Sequence, residues 1–172
     1  LKNDAGWLHK FDDGLPRILA PVDQPKPKKP SGINWNDEAI RYACNLSSDR
    51  KHTLTRDLGL PDHGLDPILF IGWREDRGDH CFTFPERDGT GKIIGINRRY
   101  WDKSKKLILG GSRGITLPKG WSTPSDNPLF IAEGPTDVAA LVAAGIPAIG
   151  RPSNNGGVQH LAVALSEISE DR

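Results

Sequence analysis

The sequence predicts an α/β chain, α+β overall, and three observations carry that expectation. Leu129 to Gly150 reads as an apolar strand, a Gly-Pro turn, an Ala-rich helix and a second apolar strand, which is a βαβ unit. Phe82 and Phe84 alternate before an Asp-Gly turn at 88 and 89, and Ile94 and Ile96 alternate after it, the pattern of a β-hairpin. Ahead of both lies a helical pattern, with Trp35, Ala39, Tyr42, Ala43 and Leu46 on one face.

In chain order, the first 20 residues carry Trp7, Leu8, Phe11, Leu15, Ile18 and Leu19 without a dominant period. Residues 21–32 hold four prolines and three lysines. Proline locks φ and removes a backbone donor, so this stretch predicts a linker and closes an N-terminal arm of 1–32. A helix is expected from Trp35 to Asp49, capped by Asn34 or Asn36 with Asp37 and Glu38 in its first turn. A shorter helix follows from Thr53 to Leu58, ended by Gly59. Together with an apolar piece around Ile68 to Ile71, these make 33–76 a helical lead-in.

Residues 77–121 are expected to form a basic β subdomain. After the hairpin, Ser104 to Lys106 read as a turn and the apolar run beyond as a third strand. From His80 to Trp121 there are nine Lys or Arg against three Asp or Glu, although the 172-residue chain has a net charge of only +1. Such local excess is an anion-binding cue. Its candidates are Arg87, Arg98, Arg99, Lys105, Lys106 and Arg113. The Gly111-Ser112-Arg113-Gly114 loop can also bring backbone amides towards an anion.

The unit within 122–172 carries the chemistry. Glu133 ends its first strand, where α/β folds open a ligand crevice. Gly134 permits the turn and Pro135 suits the first helical position. Asp137 in the first helical turn complements the helix dipole, which explains it without further function. Beyond Gly150, Val158, Leu161, Leu165 and Ile168 predict a last helix.

Other classes are excluded or left without support. No apolar run reaches the roughly 20 residues of a membrane span, and no secretory signal pattern opens the chain, so a cytoplasmic protein is the expectation. Cys44 and Cys81 are the only cysteines and lie far apart, which leaves no zinc site and predicts plain buried thiols. The basic hairpin, with Glu133 idle, suits a non-catalytic nucleic-acid-binding module.

Residues 129–150 resemble the start of a Toprim domain, with Glu133, Gly134 and Asp137 on its Glu-Gly-x-x-Asp pattern. The stretch His80 to Gly114 resembles the basic subdomain of bacterial, plasmid and phage DNA primases, with Phe84, Pro85, Asp88, Gly95 and Arg98 in the matching places. Residues 58–73 resemble the helical lead-in that follows the zinc module in plasmid and phage primases. The resemblance covers roughly 50–165. It implies template-directed RNA primer synthesis on single-stranded DNA from NTPs, with Mg²⁺, or Mn²⁺ in its place, as cofactor and a replicative helicase as partner in a primosome. Glu133 is then catalytic, and Glu133 and Asp137 are metal ligands. Nucleases and topoisomerases share the Toprim unit, but neither Tyr42 nor Tyr100 sits in a nucleophile motif. Nothing after Gly150 supplies the family's second acidic motif, Asp-x-Asp, so the expectation is a catalytic-core portion holding the first half of that domain.

Overall fold

The computed structural model describes residues 32–168 except 77, 103, 109, 124, 125 and 167. The expected arm and linker, apart from Gly32, and the acidic end at 169–172 lie outside the described residues.

Helix α1 spans Trp35–Cys44. The Asn34 side chain accepts the backbone N–H groups of Asn36 and Asp37 at 3.2 and 3.5 Å, a cap of the expected kind. The helix stops sooner than expected, at Asn45, and a new helix α2 runs over Ser48–Asp57. Ser47 divides what the periodicity joins. Its backbone is extended and its hydroxyl accepts the Arg50 N–H at 3.3 Å, so it starts a helix instead of continuing one. Gly59, at φ 67, follows the end of α2 as expected.

Four antiparallel strands follow in the order β1-β2-β3-β4. They are β1 (Gly72–Asp76), β2 (Asp79–Arg87), β3 (Ile93–Arg99) and β4 (Lys105–Leu107). Strand β1 lies in a span expected to be helical; its pairing with β2 makes it a sheet member. Gly72 is where α1 crosses: a Cβ there would lie 2.4 Å from the Tyr42 carbonyl carbon, so only glycine lets the helix rest on the strand. The hairpin forms as expected. In its turn the Asp88 carboxylate accepts the N–H groups of Thr90 and Lys92, each at 3.0 Å.

One detail of the hairpin departs from the alternation. Glu86 pairs with Gly95 but Arg87 pairs with Ile93, so Ile94 is the extra residue of a bulge. The bulge reverses the facing of side chains before it. Ile93 and Ile96 therefore share one core with Trp35, Ala39 and Tyr42, where Ile94 and Ile96 were expected to lie together. The turn expected at 104–106 lies earlier: the Tyr100 N–H donates to the Ser104 carbonyl, and Lys105 and Lys106 are already in β4.

The βαβ unit is present as read: β5 (Phe130–Glu133), α3 (Pro135–Ala143) and β6 (Ala148–Arg151), with the strands parallel. Helix α4 (Val158–Leu165) follows, burying Leu161 and Ala164 while Val158 faces out. A short connecting stretch joins the two sheets. Ile115 pairs with Arg87 at the end of β2, and Thr116 pairs with Gly150 of β6. Trp73, Phe82 and Phe84 from the antiparallel sheet share a core with Leu54, Leu65, Ile68 and Ile71, and with Val138, Ala139 and Ala148 of the βαβ unit. The βαβ unit that carries the candidate site therefore shares an interior with the antiparallel sheet, through α3 and β6. Cys81 is buried as expected, whereas Cys44 at the end of α1 is exposed. No helix among the described residues is long and apolar enough to cross a membrane.

Candidate functional site

Parallel pairing aligns Glu133 with Arg151 at the carboxyl ends of β5 and β6. The Gly134 N–H donates to the Arg151 carbonyl at 2.8 Å and ends the strand pair. Gly134 has φ 86, a left-handed conformation that glycine takes without strain, and Pro135 begins α3 directly after it. This turn puts Glu133 and Asp137 at one edge of the sheet. Both carboxylates are exposed, and neither makes a hydrogen bond or ion pair among the described residues. No group of three or more His, Cys, Asp or Glu suited to a metal occurs among the described residues.

Arg151 was not singled out from the sequence, yet it borders the site. Its Nε donates to the Gly156 carbonyl at 3.1 Å and its Nη2 to the Asn154 carbonyl at 2.6 Å, holding the 152–157 loop beside the strand ends. A basic residue directly after the second apolar strand was the available signal.

The basic candidates separate into three places. Thr116 opposite Gly150 and Arg87 opposite Ile115 put Arg87, Ile115, Arg151 and Glu133 in one row across the sheets. At about 4.8 Å per strand, three strand steps put the Arg87 and Glu133 backbones roughly 14 Å apart across the sheets. Its guanidinium is partly buried, Nη1 donating to the Gly91 carbonyl at 2.7 Å, and burial pulls its pKa below the ordinary value. Arg113 reaches the same junction. Its Nη1 pairs with Glu86 at 2.6 Å and its Nη2 donates to the Pro152 carbonyl at 3.0 Å.

Arg98 and Lys106 are cross-strand partners on β3 and β4. The Arg98 guanidinium and the Lys106 amine each lie 5.7 Å from the Tyr100 ring centroid, so an aromatic ring and two cations stand together. Arg99 points to the opposite face, its side chain mostly buried and 3.7 Å from Asp57. Lys105 holds its place in β4, but its side chain is outside the described residues.

Glu86 is the buried charge of the region and was not picked out beforehand. Its Oε2 accepts the Gly114 N–H at 2.9 Å while Oε1 holds Arg113. Burial pushes the carboxyl up from its ordinary 4.5, more than Arg113 and the Gly114 N–H pull it down. A raised carboxyl pKa means the folded state binds the proton more tightly than the unfolded one. Its stabilising contribution is therefore present below about pH 4.5 and is lost as pH rises through the raised value. Glu86→Gln removes this titration. The expected result is that wild type loses thermal stability relative to the variant as pH climbs above about 4.5, read as Tm at each pH. A gap that stays constant or moves in favour of wild type contradicts it.

A cleft lined by Lys119, Trp121, Asn127, Val142, Ile146 and Pro147 lies at the other end of the βαβ unit, where α3 ends and β6 begins. It is away from the carboxylates.

No family model matches the chain, and no curated protein does. Solved structures of similar fold do exist. The DnaG primase catalytic domain bound to ssDNA matches at 17% identity and a TM-score of 0.53, over 78% of this chain and 59% of that one. The E. coli primase catalytic core matches at 15% identity and a TM-score of 0.54, over 78% of this chain and 58% of that one. The RNA polymerase domain of Mycobacterium tuberculosis primase DnaG, in complex with a double-stranded DNA oligomer carrying a 6-nucleotide overhang, matches at 14% identity and a TM-score of 0.52, over 78% and 59%. The likeness is one of fold: the chain has the mixed α/β architecture of a primase catalytic core and spans about three fifths of the length of these structures.

Proposed function

We propose that this chain is part of the catalytic core of a DNA primase, with β5, α3 and β6 as the first half of a Toprim domain. The parent would make RNA primers on single-stranded DNA by nucleotidyl transfer from NTPs. The observation that carries the reading is the placement of Glu133: exposed, unpaired and at the carboxyl edge of a parallel pair, in a chain with the primase-core fold.

Mg²⁺ suits the donors present. It takes hard oxygen ligands, and one or two carboxylates complete its shell with substrate phosphates and water. Glu133 and Asp137 are the two carboxylates that would hold it. When bound, the ion supplies Lewis-acid stabilisation of the phosphoryl oxygens and lowers the pKa of the attacking hydroxyl. Around it, Glu133 accepts the proton of the primer 3′-hydroxyl or orients that group. Arg98 and Lys106, with the Tyr100 ring beside them, bind the phosphates and a base of the template strand. Arg87, Arg99 and Arg113 act less directly, because each already spends its guanidinium on a protein partner or in a mostly buried position. The lead-in at 58–73 favours a plasmid or phage source, with a replicative helicase as partner and the cytoplasm as the place of action.

A second reading, a non-catalytic binding module, is favoured by the lack of a third carboxylate near Glu133 and Asp137 among the described residues. Both readings require binding to single strands, and that is the first test. Affinity for a fluorescent single-stranded oligonucleotide, followed by anisotropy across a salt series, should fall linearly in log–log form. Arg98→Ala and Lys106→Ala should each reduce the slope by about 1. Wild-type protein that does not bind removes both readings. Binding without primer synthesis by the full-length protein selects the second.

A further inference from the structure

Phe70 is the one non-glycine residue with positive φ among the described residues, at φ 63. A bulky side chain is disfavoured in this left-handed conformation, and such outliers persist where surrounding structure imposes them. Here Ile68 and Ile71 impose it: both are buried in the shared core on either side, at 5% and 6% exposure. The strain does not serve burial of the ring, since Phe70 is 38% exposed and its neighbour Leu69 is 43% exposed. A polar or glycine residue would fit the backbone better and the solvent as well.

The ring is backed on one side. The Arg87 guanidinium carbon lies 5.8 Å from the Phe70 centroid, while Nη1 is fixed on the Gly91 carbonyl at 2.7 Å. Nη2 is buried and has no hydrogen-bond partner among the described residues. Lys119 joins the same loop, its N–H donating to the Pro67 carbonyl at 2.7 Å, and its side chain is exposed. The acids nearby are engaged: Asp66 with Lys51, and Asp88 within its own turn. Arg87 stands in the row that ends at Glu133.

We propose that Phe70, backed by Arg87, is a stacking platform for a base of single-stranded nucleic acid, with Lys119 meeting the adjoining phosphate. The proposal rests on the nucleic-acid-binding reading above and adds to it a binding position outside the basic hairpin. An exposed aromatic face with cations around it is the usual means of holding single strands without reading sequence.

The test uses the full-length protein, fluorescein-labelled oligo(dT) and four variants. Phe70→Gly relieves the backbone and should raise Tm, yet weaken oligo(dT) binding by roughly 5- to 100-fold. Phe70→Leu keeps apolar bulk without a π-face and should weaken binding similarly. Phe70→Tyr should bind like wild type. None of the three removes a phosphate contact, so the salt slope should not change, whereas Lys119→Ala should lower it by about 1. If wild type binds and Phe70→Gly and Phe70→Leu bind equally well, the platform is overturned while the broader reading stands. If wild type does not bind oligo(dT), the broader reading fails and takes the platform with it.

Discussion

Glu133→Gln is expected to lower primer synthesis by the full-length protein by roughly 10²- to 10⁴-fold, the range for losing a positioned acid or base. Affinity for single-stranded DNA should be unchanged. Both parts follow from placement. The side chain is exposed and makes no hydrogen bond or ion pair among the described residues, so replacing it leaves no buried partner behind. Glutamine keeps the shape but not the charge that would hold a divalent cation or accept a proton. The measurement is incorporation of labelled NTPs on a single-stranded template beside a binding isotherm and Tm. Synthesis within a factor of two of wild type would sink the catalytic assignment. Loss of Tm along with activity would show that Glu133 supports the fold instead.

Gly114→Ala is expected to cost about 1–3 kcal/mol through overpacking. For a chain of this size, at about 2–4 °C per kcal/mol, Tm then falls by roughly 2 to 12 °C. A Cβ at this position would lie 2.2 Å from the Arg87 carbonyl oxygen, a backbone atom that cannot swing aside. The cost is concentrated because of what passes through Gly114. Its N–H is held by Glu86, and the next residue exchanges hydrogen bonds with Arg87 at 2.7 and 2.9 Å. One residue further, Thr116 exchanges two with Gly150 at 2.9 Å each. This short stretch is the join between the antiparallel sheet and the βαβ unit. Gly32→Ala, where a Cβ meets nothing within 4 Å, is the control and should leave Tm in place. Equal Tm values for Gly114→Ala and the control would contradict the role of the join.

Glu133 and Asp137 were legible because their positions depend on local rules. An apolar strand, a Gly-Pro turn and a helix start fix where a carboxylate must stand within a few residues, whatever the rest of the chain does. The basic hairpin was legible for the same reason, through its Asp-Gly turn. What each cation does was not legible. Arg98 and Arg99 are adjacent in sequence, yet one lies beside Tyr100 and the other lies mostly buried near Asp57. Arg113 looked like a free loop cation and instead pairs with Glu86, a residue 27 positions earlier in the sequence. Phe70 gave no sign at all, since a left-handed backbone is imposed by the packing of Ile68 and Ile71.

By itself, then, the sequence determined the mixed α/β class, the βαβ unit, the hairpin and the carboxylate edge. These follow from periodicity, caps and turn residues, which act over a few positions. Only the tertiary structure decided that β1 joins the sheet, that the bulge at Ile94 brings Ile93 into the α1 core, and that Glu86 is buried with Arg113 at the junction. Each of these depends on which distant strand lies alongside, and pairing between distant strands is settled by the best total packing of the chain rather than by any local preference.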